Sequence, residues 1–70
     1  PNQWEAAGPA LRAALGADGP RVRRSAAYAL GAFGGRAAGA VEDLRAALRD
    51  KDASVRQNAA WALGRIDQVD

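Results

Sequence analysis

The chain contains no cysteine, no histidine and no methionine. Without cysteine, neither a disulfide nor a thiolate-bound metal can reinforce the fold, and the redox compartment goes unmarked. Without histidine the chain lacks the commonest general base, the commonest metal ligand and any charge switch near neutral pH. No run approaches the roughly 18 apolar residues that a membrane span requires, and no signal-peptide pattern opens the chain. No membrane partner is therefore expected, and localisation is left cytoplasmic by default. Methionine is missing even at position 1, where the chain reads Pro1-Asn2-Gln3-Trp4. That start reads as an internal excerpt or a processed product.

The motifs of common active sites are missing as well. Gly31 and Gly34-Gly35 follow a helical pattern, whereas a phosphate cradle follows a strand. No pair of carboxylates falls on an inward face, and neither Ser25 nor Ser54 has a base to activate it. Asp50 and Asp52 alone supply too few oxygens for a calcium site. The expectation is no catalytic residue, no cofactor and no metal.

What is present is alanine and arginine. Nine arginines and one lysine against eight acidic residues give a net charge of +2. The pI near 10.0 overstates this, because without histidine little titrates between the carboxylates and pH 10. Nucleic-acid domains carry a larger excess, clustered on one face. Seventy residues make at most one small domain, which buries only about 60% of its unfolded surface and has a thin margin of stability.

Those residues are arranged as a repeat, the feature to seek first because missing it miscalls the fold. Leu11-Arg12-Ala13-Ala14-Leu15 returns as Leu44-Arg45-Ala46-Ala47-Leu48, an offset of 33. Val22-Arg23 returns as Val55-Arg56, and Ala26-Ala27-Tyr28-Ala29-Leu30-Gly31 as Ala59-Ala60-Trp61-Ala62-Leu63-Gly64. Residues 11–34 and 44–67 align without a gap, with 12 of 24 positions identical. Chance does not produce that. Repeat one is placed at about 3–35 and repeat two at about 36–70, within one domain over 1–70.

Each unit reads as two helices. Val41, Leu44, Ala47 and Leu48 follow the spacing of one helical face. Asp52 then suits the N-cap of a second helix, since its carboxylate can accept the unpaired N–H groups of the first turn. That helix is expected to bury Val55, Ala59, Ala62, Leu63 and Ile66. In the first unit Leu11, Ala14 and Leu15 precede a turn at Gly16–Gly19. Pro20 opens the next helix, whose expected inner stripe is Val22, Ala26, Ala29, Leu30 and Phe33, and Gly34-Gly35 closes it. The first helix is expected to start or kink at Gly8-Pro9, with Trp4 capping the apolar end of the hairpin or meeting a preceding repeat. A free-standing four-helix bundle is the alternative architecture. Nineteen alanines and few large side chains suit close-stacked hairpins better.

The segments Val22 to Gly31 and Val55 to Gly64 resemble HEAT-like repeats of the phycobilisome-lyase type, whose pattern runs Asp-x-x-Val-Arg-x-x-Ala-Ala-x-Ala-Leu-Gly after a Leu-x-x-x-Leu helix. The second unit fits throughout, including Asp52 and Arg56. The first departs at Gly19, which leaves that turn without the aspartate that would reach Arg23. The resemblance covers nearly the whole chain and is specific for fold rather than function. It implies an all-α solenoid of two tandem hairpins, four antiparallel helices in a right-handed stack, with the second helix of each pair on the concave side. It also implies a longer array, since about three repeats are usually needed for stability and both ends here lack a polar cap. Uncapped ends predict self-association.

Candidate binding residues are the outward positions of the second helices. They are Arg21, Arg24, Ser25, Tyr28 and Ala32 in unit one, and Ser54, Gln57, Asn58, Trp61 and Arg65 in unit two. Helices packed about 8–10 Å apart would make Tyr28 and Trp61 neighbours, flanked by Arg24 and Arg65. Aromatic and arginine side chains together are what interface hot spots favour. The competing reading has Trp61 packed in the groove between repeats and Tyr28 half-exposed beside it. Arg23 and Arg56 are read as structural, bonded to loop carbonyls or to Asp52 and its neighbours. The sequence thus points to a non-catalytic scaffold that binds a protein or peptide. Nucleic-acid binding through Arg21, Arg24 and Arg65 is the alternative, and a bilin-lyase or chromophore-handling role rests on the resemblance alone.

Overall fold

In a computed structural model that describes residues 2–67, the chain forms four α-helices and one 3-10 segment, with no strand among the described residues. Helix α1 spans Gln3–Ala14, α2 Pro20–Phe33, α3 Val41–Ala47 and α4 Ala53–Ile66. The 3-10 segment Gly34–Ala40 joins α2 to α3.

Local chemistry accounts for most of the boundaries. Asp52 caps α4, its carboxylate accepting the N–H groups of Ser54 at 2.9 Å and Val55 at 3.2 Å. Pro20 opens α2, and Gly34 ends it at φ +62, the left-handed conformation that glycine adopts without penalty. Helix α1 begins earlier than the sequence predicts. Asn2 accepts the Glu5 N–H at 2.8 Å, and the helix runs on through Gly8 and Pro9 rather than starting there. Gly8 serves contact instead: a Cβ at that position would lie 2.8–2.9 Å from the Trp4 indole. The indole in turn meets Phe33 edge-on, with ring centroids 5.3 Å apart. This contact joins the start of α1 to the end of α2, so the two form an antiparallel hairpin.

Helices α2 and α4 make the most extensive contact in the molecule. Asn58 bonds to Arg24, Trp61 stacks on Tyr28, and Arg65 bonds to Gly31. These partners run in the same order along both helices, so α2 and α4 lie parallel and in register. Leu30, Leu44 and Val55 are the largest wholly buried side chains, with Ala27, Ala37, Ala40, Ala59 and Ala62 around them. A core this rich in alanine lets backbones approach closely, and the Cα atoms occupy a slab of 32 × 26 × 15 Å.

Two expectations need correction. Val22, assigned to the inner stripe, is 50% exposed, and Leu48 on the α3 side is 40% exposed. Val55 fills the Val22 slot one unit later and is wholly buried, so position in the stack, not residue type, leaves Val22 bare. The first helix of unit two is also short. Seven residues of α3 follow the 3-10 segment, which is mostly glycine and alanine and in which Ala37 leaves helical geometry.

Candidate protein-binding face

The parallel register of α2 and α4 brings Tyr28 and Trp61 together. Their rings stack with centroids 4.9 Å apart and planes 6° from parallel. Both stay open to solvent, Tyr28 at 56% and Trp61 at 41%. Gly31 makes the arrangement possible. A Cβ there would stand 2.6 Å from the indole Cζ3 and 2.8 Å from the Ala62 Cα. The indole packs across the groove between repeats and still leaves part of its surface uncovered.

Two of the polar site candidates tie the repeats to each other. The Asn58 amide donates to the Arg24 carbonyl at 3.1 Å. Arg65 donates through Nε to the Gly31 carbonyl at 3.0 Å and holds its guanidinium over the Trp61 ring, 5.3 Å from the centroid. Arg21, Arg24, Ser25 and Gln57 are exposed, and among the described residues neither Arg21 nor Arg24 forms an ion pair. Ala32 is exposed as well. Ser54 does not join the face, because its hydroxyl donates to the Asp52 carboxylate.

The arginines after the two valines differ sharply. Arg23 is nearly enclosed and donates to both carboxylate oxygens of Asp50, at 2.7 and 3.0 Å, and to the carbonyls of Ala17 and Asp18, each at 2.8 Å. It thereby clamps the turn of unit one to the turn of unit two. These partners agree with the expectation of loop carbonyls or of Asp52 and its neighbours, the neighbour being Asp50. Ala17 stands at the matching slot of unit one, so an aspartate at that slot in only one of the two turns marks the difference. Arg56 is exposed and donates only to the Asp50 carbonyl. The Arg23 guanidinium, and after it the Asp52 N–H, hold the Asp50 carboxyl below its ordinary range. Asp52 is lowered too, first by the Ser54 hydroxyl and then by the Val55 N–H.

Such commitments also limit metal binding. Asp50 and Asp52 spend their oxygens on Arg23 and on the α4 cap, and the described residues hold no group of three potential ligands. A shallow concavity between α1 and α3 is lined by Arg12, Leu15, Asp43, Ala47 and Asp50. Its charges satisfy one another, with Arg12 on Asp43 at 2.6 Å and Asp50 on Arg23. Among the described residues, no helix is long and apolar enough to cross a membrane.

Comparison with known proteins agrees with this geometry. The family model for HEAT repeats matches residues 9–70, and the chain belongs to that family. The match is to HEAT repeats as a class and does not single out the phycobilisome-lyase type. No curated protein and no solved structure matches the chain.

Proposed function

We propose that this HEAT-repeat chain is a non-catalytic module that binds a protein or peptide on the α2–α4 face, anchored by Tyr28 and Trp61. HEAT repeats generally serve as scaffolds for protein interaction. The observation that carries the proposal for this face is the stacked aromatic pair left open to solvent. Large amphipathic rings already fixed by packing lose little entropy on binding, and such residues dominate interface energies. Arg21, Arg24, Ser25 and Gln57 supply the polar rim that surrounds such an anchor.

Nucleic-acid binding has less support. The net charge is only +2, and Arg23 and Arg56 of this face are already committed to Asp50 and its carbonyl. A chromophore-handling role has no feature of its own on this face. Self-association is favoured by one observation, the apolar surface that Val22 and Leu48 leave exposed. A second copy would bring Ala17 where Asp50 stands, so the clamp on Arg23 would have no counterpart on Arg56. The association expected is weak and apolar, seen as a rise in scattering mass with concentration.

Selection from a random peptide library on the 70-residue chain tests the main proposal. Selected peptides should lose about tenfold or more in affinity for Tyr28→Ala, the loss that a hot-spot anchor produces. Peptides that bind the variant as well as the parent would place the binding surface elsewhere.

A further inference from the structure

The α2–α4 face is sorted by charge. Across Pro20–Phe33 and Ala53–Ile66 the chain carries Arg21, Arg23, Arg24, Arg56 and Arg65 and not one aspartate or glutamate. The acidic residues among those described lie on α1, α3 and the turns. Arg23 is spent on Asp50, and Arg56 on a turn carbonyl. Arg24 has no carboxylate partner among the described residues, and Arg65 commits only its Nε, to Gly31.

These two arginines bracket the aromatic pair. Arg24 precedes Tyr28 by one turn of α2, and Arg65 follows Trp61 by one turn of α4, while the two rings stack level. At about 1.5 Å of rise per residue, the Cα atoms of Arg24 and Arg65 stand roughly 12 Å apart along the helices, with the Arg65 guanidinium folded back over Trp61. The lateral step of about 8–10 Å between packed helices lengthens the diagonal to about 15 Å. An extended peptide advances about 3.3–3.6 Å per residue, so its residues i and i+4 span nearly that distance.

We infer that the face takes an acidic peptide in which two carboxylates about four residues apart flank an apolar side chain. The carboxylates pair with Arg24 and Arg65, and the side chain between them packs against Tyr28 and Trp61. The inference rests on the protein-binding reading of this face and adds the chemistry of the partner. Arginine suits the task because its planar guanidinium meets a carboxylate through paired, charge-assisted hydrogen bonds. Phosphates would answer the same arginines, but a net charge of +2 is low for a nucleic-acid backbone and favours the peptide.

The test uses a fluorescent, end-blocked peptide Gly-Glu-Ala-Phe-Ala-Glu-Gly titrated with the 70-residue chain and followed by anisotropy. A second peptide carries Gln for both Glu, and a labelled oligothymidylate serves as a nucleic-acid probe. The Glu peptide should bind about tenfold more tightly than the Gln peptide, as desolvated charge pairs allow. That advantage should fall to about threefold in Arg24→Gln, which leaves the Arg65 pair, and survive whole in Lys51→Gln, which removes one positive charge from a turn away from the face. Circular-dichroism melts confirm that both variants fold. Equal binding of the two peptides, lost in Tyr28→Ala, would overturn the acidic specificity and leave the protein-binding reading standing. Failure of the Glu peptide to bind at millimolar concentration would also overturn the inference, while library-selected peptides sensitive to Tyr28→Ala would keep the broader reading. Tighter binding of oligothymidylate, falling steeply with salt, would overturn both.

Discussion

The two hairpins carry the same motif and bury opposite halves of it. Val22 and Ala29 are less buried than Val55 and Ala62, which fill the same slots one unit later. The order reverses for Arg23, Ala27 and Gly31, which are buried, against Arg56, Ala60 and Gly64, which are exposed. Ala26 and Ala59 are buried in both units. The sorting follows direction. Slots that look toward a preceding hairpin are covered only in unit two, and slots that look toward a following hairpin only in unit one. Slots that face the unit's own partner helix are covered in both. In a stack where each unit touches only its neighbours, burial belongs to position in the array rather than to the residue.

Glycine gives the hardest test of that comparison. Gly31→Leu drives a side chain into Trp61 and the Ala62 backbone and should cost about 3 kcal/mol or more, near the upper range for overpacking. A Cβ added at Gly64 meets nothing within 4 Å, and Gly64→Leu should stabilise α4 by roughly 0.5–1 kcal/mol through helix propensity. Thermal melts of the two variants that shift alike would end the positional account.

The valines come next. Val55→Ala removes two wholly buried methyl groups and should cost about 2 kcal/mol, counting the cavity left behind. Val22→Ala, at a half-exposed slot, should stay within about 0.5 kcal/mol. Urea midpoints measure both, and a large loss at Val22 would mean that something covers it in solution.

A smaller effect separates the two turns. Asp50 and Asp52 have pKa values lowered by folding, so their stabilisation is present above the unfolded carboxyl range near 4. It is lost as pH falls through their lower folded values. The melting temperature should therefore drop in acid, and Asp50→Asn should flatten that drop while lowering stability at pH 7. A parent and variant with parallel acid limbs would remove Asp50 from the account. The least effect is at the cap that unit one lacks. Gly19 precedes α2 with extended backbone and open space at its Cβ. Gly19→Asp, which copies the aspartate of unit two, should add only a few tenths of a kcal/mol. A loss on that substitution would show that the two turns differ in more than one side chain.

Much of the fold was legible because its signals are local. The duplicated motif, the Asp52 cap, Pro20 at the start of α2 and Gly34 at its end each act within a turn or two of chain. The departures have both local and distant causes. Gly8-Pro9 reads as a boundary, yet Asn2 had already nucleated the helix and the Trp4 ring needed the missing Cβ of Gly8. The 3-10 segment escaped notice because alanine and glycine carry no periodic contrast to mark it. At the candidate face, the pairing of Tyr28 with Trp61 followed from the repeat offset. The diversion of Asn58 and Arg65 to carbonyls of α2 did not, because any exposed amide or guanidinium reads as free in one dimension.

By itself the sequence determined that this protein is two helical hairpins with one shared pattern, since periodicity, caps and repeat offset are properties of neighbouring residues. It also determined which side chains stand at equivalent slots, Tyr28 with Trp61 and Arg23 with Arg56. Only the tertiary structure decided which member of each pair is covered, which arginine Asp50 holds and how closely α4 lies on Gly31. Those outcomes depend on what stands beside each helix, and a repeated sequence reads the same in every unit whether a neighbour is there or not.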